Sequence, residues 1–181
     1  MKKFIIGILV FMPLINTYAQ ELDSVGAALA DKILIIPHIS LTSDIPQDAQ
    51  PLMLDKMKQA LLRQGVIDSS DRSRFMLTVR SNVLDGNWTE TVPRKYAVKV
   101  MFSFYIGDVD TGILFSNQTI TRKGVADNES KAYLNAVKQI QAADPLFKKL
   151  VDEAKPRIIQ SLQAREDAGE IDPDKYDINW W

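Results

Sequence analysis

The alternation of apolar and polar positions predicts three antiparallel strands in the middle of the chain. Over 74–84 the apolar residues Phe75, Leu77, Val79 and Val83 fall on one face of a strand, and over 95–106 the alternation is more regular. The segment 107–112 (GDVDTG) has the composition of a turn, and residues 113–122 return as a third strand. Because this third strand carries many polar positions, we expect it at a wet edge of the sheet.

Helical periodicity flanks this meander on both sides. Over 51–64 the apolar residues recur at i, i+4, i+7 and i+8, and Gly65 follows where helices commonly end. A chain break at 124–128 precedes a second helix, which is predicted to run to about residue 142. The strands are therefore bordered by helices that can cover the sheet.

The last helix is predicted to open at the pair Asp144-Pro145, which suits an N-cap followed by the first helical residue. Pro156 lies inside its apolar stripe, which resumes in phase, so we expect a bend there rather than an end. The predicted stripe consists of Phe147, Leu150, Val151, Ala154, Ile158 and Leu162.

An apolar run near the start, 32–37 (KILIIP), is closed by proline and predicts a buried central strand. One strand–helix–strand crossover then feeds the meander, which gives the order β-α-β-β-β-α-α. The predicted fold class is α/β of the α+β type. It is a two-layer sandwich with a mixed, mostly antiparallel sheet and helices on one face.

Residues 1–19 have the three parts of a secretory signal peptide. Lys2 and Lys3 precede an apolar run, and a small residue, Ala19, stands before the expected cut at Gln20. The run is too short to span a bilayer, so we expect no membrane span. The remaining chain is expected to form one domain over 20–163, followed by an acidic tail at 164–181.

Composition excludes several classes of function. Cleavage would leave 162 of the 181 residues with a net charge of −3, too acidic for the basic face that nucleic-acid binding requires. The absence of cysteine excludes thiol catalysis, cysteine-ligated metals and a lipid-anchored cysteine. The periplasm is the expected compartment, with the cell surface or extracellular release as the alternative.

Candidate catalytic chemistry is sparse. His38 is the only histidine, and at a strand end its simplest interpretation is a polar loop residue. Asp108 and Asp110 resemble the start of a calcium loop, but a hairpin turn explains them fully. Nucleotide-binding glycine loops are missing from the sequence. We therefore predict no catalytic residues, no metal site and no cofactor.

Exposed tryptophans are the best candidates for partner contacts. Trp88 falls in a predicted long hairpin loop, and the acidic tail carries Tyr176, Trp180 and Trp181. The alternative is that the tail folds back and buries its aromatic residues against the domain itself. The sequence leaves these two interpretations open.

The segment 32–142 resembles exported α/β domains of the curli-secretion lipoprotein, of Lpp20-like lipoproteins and of the N-terminal domain of TolB. The shared features are structural: a turn at 108–112, a return strand at 113–122, a break at Gly124 and a helix opening near Lys131-Ala132. The resemblance implies a non-enzymatic envelope module that contacts other proteins. It transfers no site residues, no pore and no propeller.

Two functional hypotheses follow from these features. The first is an exported, non-enzymatic envelope protein that acts as a binding or assembly module with envelope-protein partners. The second is a small carboxylate-dependent glycan hydrolase, which would need two carboxylates converging in a cleft. Because the acidic residues fall mostly in turns and in the tail, the first hypothesis is favoured. The oligomeric state stays open.

Overall fold

The computed structural model describes residues 33–40, 43–68 and 73–169. Within them a four-stranded sheet has the spatial order β1-β2-β3-β4, with β1 parallel to β2 and the other pairs antiparallel. The strands are β1 (Ile35–Pro37), β2 (Phe75–Trp88), β3 (Tyr96–Asp108) and β4 (Leu114–Ala126). The helices are α1 (Gln50–Arg63), α2 (Glu129–Lys138) and α3 (Pro145–Asp167). The predicted α+β class and element order are confirmed.

The core lies between the helices and one face of the sheet. Every second residue of β3 points inward, and the complete apolar stripe predicted for α3 is buried, as expected for a helix that covers a sheet. Two edge-to-face aromatic contacts join the layers. The ring centroids are 4.9 Å apart between Phe104 and Phe147, and 5.9 Å apart between Phe102 and Tyr133. These contacts fix the two C-terminal helices against β3.

The first strand differs from the prediction. β1 has three residues and stands at the end of the described sheet, so the expectation of a central strand is wrong. Ile35 of β1 is nevertheless buried because the segment 66–68 covers the other side of the strand. The N–H of Ile35 donates to the Val66 carbonyl and the N–H of Asp68 donates to the Ile35 carbonyl, so Ile35 and Ile67 form an isolated parallel bridge. A continuous apolar run therefore reflects cover by a loop and a helix rather than by strands on both sides.

β2 and β4 continue beyond the predicted strand ends. β2 runs on to Trp88 after a bulge between Val83 and Asp85, where a long loop was expected. β4 passes through Gly124, where a chain break was expected. A Cβ at Gly124 would stand 1.8 Å from the carbonyl oxygen of Ala132, so glycine is required by the close approach of α2. Its role is packing, not chain reversal.

The helix ends show how local hydrogen bonds set the boundaries. The Asn128 side chain accepts a bond from the backbone N–H of Lys131 (2.9 Å) and so caps α2. The Asp144 carboxylate instead accepts from the N–H of Gln141 (2.9 Å) and from Arg122 (2.8 Å), and makes no cap bond to α3. α2 ends at Lys138, before the predicted residue 142.

α3 is one helix that continues through Pro156, as predicted, and extends to Asp167, into the segment assigned to the tail. The signal segment 1–19 and residues 170–181 lie outside the described part of the chain. Among the helices of the described residues, none has the length and apolar character needed to cross a membrane.

Candidate functional site

Trp88 is the one predicted contact residue within the described part of the chain. It is the last residue of β2 and packs edge-to-face on Tyr96, with the ring centroids 5.4 Å apart, yet 54% of its surface stays exposed. The other three predicted contact residues, Tyr176, Trp180 and Trp181, fall outside the described residues. The structure therefore supports an accessible indole at Trp88, held by a neighbouring aromatic ring in a strand rather than in a loop.

We call residues 85–96 the hairpin tip, which joins β2 to β3. Its loop carries Val92, whose side chain is 98% exposed. At the same end of the sheet, Val125 of β4 is the register partner of Ala97 in β3, and it is half exposed. Exposed apolar side chains such as these can form part of an interaction surface, although Val109, Ile113 and Leu114 are also exposed at the opposite end of the sheet.

The outer edge of β4 is closed by side chains from the helices and from the strand itself. Four of its backbone carbonyl oxygens accept hydrogen bonds from side-chain N–H groups, which satisfies groups that another strand would otherwise pair with. These bonds run from Arg157 to Phe115 (2.7 Å), from Arg122 to Thr121 (3.3 Å), from Gln139 to Lys123 and from Asn135 to Val125 (2.9 Å).

The opposite edge of the sheet is different. β1 pairs only with the first three residues of β2, so most of the 14-residue strand β2 has no neighbouring strand on that side among the described residues. One loop contact lies near the middle of this edge, where the Ser81 hydroxyl donates to the Asp44 carbonyl oxygen (3.2 Å). Val83 and Leu84 follow it and are about half exposed.

A concavity of about 490 Å³ lies beside this edge, and we call it the edge groove. Its outer-face residues include Arg80 and Asn82, for which no hydrogen bond or ion pair is found among the described residues, and the half-buried Tyr105. The complete lining is Asp44, Arg80, Ser81, Asn82, Val83, Met101, Ser103 and Tyr105. A groove with a cation, a carboxylate, an amide and hydroxyl groups suits a polar ligand.

A second concavity of about 520 Å³ lies between the end of β4 and α2, and three of its lining residues are lysines. Lys95 forms an ion pair with Asp127, and this ammonium lowers the pKa of the Asp127 carboxyl. Both side chains are well exposed, so the pair contributes little to stability. The remaining lysines, Lys131 and Lys138, leave this surface basic.

Asp108 and Asp110 belong to the turn between β3 and β4, as predicted. The Asp108 carboxylate accepts from the backbone N–H of Asp110 (2.9 Å) and pairs with the buried guanidinium of Arg74. Burial raises the pKa of Asp108, but the hydrogen bond and charge of Arg74, with the Asp110 N–H, outweigh it and hold the pKa below 3.8. The pair fastens the turn to the start of β2.

Asp108→Asn is expected to lower the free energy of unfolding by about 2 kcal/mol at pH 7, because a charged hydrogen bond to buried Arg74 is weakened. Since the folded pKa is depressed, the carboxylate's stabilisation is complete above pH 3.8 and is lost as pH falls through the folded pKa. Denaturant titrations at pH 7 and pH 2 test this. A wild-type–variant difference that persists at pH 2 would contradict the electrostatic origin.

Neither concavity formed by the described residues brings two carboxylates together, since Asp44 lines one and Asp127 the other. No group of three His, Cys, Asp or Glu side chains among them could hold a metal ion. The two buried carboxylates, Asp68 and Asp108, line neither concavity. His38 is exposed, and its backbone N–H bonds to Leu77 (2.8 Å). Burial raises the pKa of Tyr133 to about 12, which makes it a poor proton carrier near neutral pH.

No protein-family model and no curated protein matches this sequence. Solved structures that match include a minor lipoprotein from Acinetobacter baumannii, with 16% identity, a TM-score of 0.36, and 75% of this chain and 94% of that chain covered. A PelC dodecamer from Paraburkholderia phytofirmans has 19% identity, a TM-score of 0.36, and coverages of 60% and 86%. A Xanthomonas campestris protein of DUF330 has 14% identity, a TM-score of 0.38, and coverages of 74% and 87%.

Several of the matched structures are described as lipoproteins of Gram-negative bacteria, the class that the sequence resembles. The three descriptions given above name no enzymatic activity. Their identities and TM-scores define no common family. The function has to be inferred from the surfaces of this molecule.

Proposed function

We propose that the chain is an exported, non-enzymatic envelope protein whose hairpin tip binds another envelope protein in the periplasm. The observation that carries the proposal is the indole of Trp88, which packs on Tyr96 and stays accessible in the hairpin tip, where Val92 is exposed too. Tryptophan is enriched among the residues that dominate binding energy at protein interfaces. An indole already held by a neighbouring ring loses little conformational entropy when a partner encloses it.

The tail residues Tyr176, Trp180 and Trp181 are proposed as additional contacts. They follow a helix that ends at Asp167 and is succeeded by Gly169 in the left-handed region, with a φ of +69°. Four carboxylates between 170 and 177 oppose burial of this segment in the core. Its aromatic side chains would contribute to binding once a partner supplies a pocket.

Crosslinking in envelope fractions, followed by recovery of the exported chain, tests the proposal. Wild-type chain should recover a discrete partner, and its intact mass should show loss of residues 1–19. Trp88→Ser should reduce partner recovery at least fivefold, because the main apolar anchor is removed. Deletion of residues 170–181 should also reduce recovery while leaving the melting temperature nearly unchanged.

Val109→Ser is the matched control, because Val109 is as exposed as Trp88 and lies near the other end of the sheet. Recovery should be unaffected by this change. Equal losses in the two variants, or no crosslinked protein with the wild-type chain, would overturn the proposal. A large fall in the melting temperature on tail deletion would instead show that the tail belongs to the core.

A further inference from the structure

The unpaired edge of β2 offers backbone groups for hydrogen bonding. In a strand, N–H and C=O groups of alternate residues point to alternate sides. The carbonyl of Leu77 accepts from the N–H of His38, on the β1 side, so the odd-numbered residues that follow face the same edge. Ser81 and Val83 therefore present N–H and C=O groups there. No backbone hydrogen bond to these two residues is found on that side among the described residues.

The bulge changes which residues face the edge. Beyond it, the N–H of Thr89 donates to the carbonyl of Lys95 (2.7 Å), on the β3 side, so odd-numbered residues now face β3. The even-numbered residues Gly86 and Trp88 consequently face the open edge. From Ser81 to Trp88 the strand thus presents a row of unpaired groups long enough for a short extended peptide.

The contrast with the other edge gives this row its significance. Helix side chains occupy carbonyl groups along β4, which is how proteins protect an edge against strand addition. At the β2 edge, the one side-chain bond among the described residues is that of the Ser81 hydroxyl to the loop carbonyl of Asp44, and no side chain bonds to the carbonyls of β2 that follow Ser81. A peptide at this edge would extend the sheet past the point where β1 ends.

The edge groove supplies the side-chain chemistry for such a peptide. Arg80 lines it without an ion pair among the described residues, so a carboxylate on the peptide would gain a charge-assisted bond. Val83 and Leu84, both about half exposed, offer apolar contact along the same edge. Asp44 lines the same groove, so the charge argument applies at Arg80 itself: a carboxylate placed there and alternating apolar residues are the features favoured in an extended peptide.

We propose that an extended, acidic segment of a partner protein adds to the edge of β2 between Ser81 and Trp88, with its carboxylate at Arg80. This inference rests on the proposed binding function and names the class of partner segment. Backbone pairing supplies affinity, and Arg80 with Val83 supplies selectivity. The second concavity, with its lysines, is not part of this interaction.

A phage-displayed library of linear dodecapeptides, selected on the exported chain, provides the probe. Enriched peptides should contain a carboxylate and alternating apolar residues, and one of them is then synthesised for titration by fluorescence anisotropy. Val83→Pro should weaken its binding at least tenfold, because proline removes an edge-facing N–H without touching the β2–β3 bonds. Arg80→Gln should weaken it about fivefold.

Two matched controls accompany these variants. Thr119→Pro places proline on the outer edge of β4, and Lys99→Gln removes an exposed cation from β3; both should bind the peptide within twofold of wild type. Amide exchange on the wild-type chain gives a readout independent of variant folding, since bound peptide should slow the amides of Val83 and Gly86. Absence of enriched peptides, equal effects of both prolines, or unchanged exchange would overturn the proposal.

The outcomes separate this inference from the proposed function. If Val83→Pro still recovers the crosslinked envelope partner while Trp88→Ser does not, the tip binds and the edge proposal alone fails. If sedimentation shows a dimer that Val83→Pro dissociates, the occupant of the edge is a second copy, and the peptide proposal is overturned.

Discussion

Gly124→Val should lower the free energy of unfolding by about 4 kcal/mol or more, the largest effect we expect from a single substitution. An added Cβ would stand 1.8 Å from the Ala132 carbonyl oxygen and 2.6 Å from the Ala136 amide nitrogen. Both neighbours are backbone atoms of α2, so no rotamer change can relieve the contact. The helix would have to move away from β4 and expose the buried residues on its inner face.

Denaturant unfolding of the variant measures this effect, with Thr121→Val as the control. Thr121 is an exposed residue of the same strand, and valine there tests strand propensity without the helix contact. The control should stay within about 0.5 kcal/mol of wild type. A loss below about 1 kcal/mol in Gly124→Val would show that α2 does not approach β4 so closely.

Phe104→Ala should cost about 3–5 kcal/mol, the range expected for removal of a fully buried phenylalanine. Phe104 lies at the middle of β3, and its ring packs on Phe147 of α3. Phe102→Ala should have a similar cost, because its ring packs on Tyr133 of α2. The two variants thus test the contacts of different helices with the same strand.

Chemical denaturation of Phe104→Ala, Phe147→Ala and the double variant measures both stability and coupling. The double variant should be less destabilised than the sum of the single variants, since the two rings contact each other. Phe104→Leu serves as the conservative control and should retain most of the stability. Losses below about 1 kcal/mol for Phe104→Ala would contradict its place at the centre of the core.

The fold could be predicted where a single physical cause set the pattern. Every second residue from Val98 to Ile106 is buried because the helices cover one face of β3, and period-two alternation reports that directly. The stripe of α3 was predictable for the same reason, with Pro156 tolerated inside a helix. Both patterns depend only on which face meets the core.

Positions whose residue type fits both a local and a tertiary explanation were not predictable from the sequence. Gly124 reads as a chain break, but its glycine is needed for contact with a helix whose position the sequence does not state. The short apolar run of β1 reads as central, although a bridge to Ile67 and the packing of α1 bury it. Such features depend on tertiary neighbours, which local periodicity does not record.

The candidate site was predicted in part. Trp88 was selected for its chemistry, but its placement in a loop was wrong, since pairing with Tyr96 continues the strand. The open edge beside Arg80 was missed. The edge is open because β1 is much shorter than β2. The sequence contains a signal for this difference, since the apolar run at 32–37 is shorter than the alternating segment at 74–84.

The placement of Trp88 and Val92 beyond the covered part of the sheet separates the proposed binding surface from the folded core. No residue of the loop 89–94 is buried, so substitutions there are expected to leave the core intact. Homologous chains can therefore acquire new tip sequences in single steps without first acquiring compensating mutations. If homologous chains bind different partners, their sequences would then differ mainly in this loop, while the sequences of the helix-covered strands stay constant.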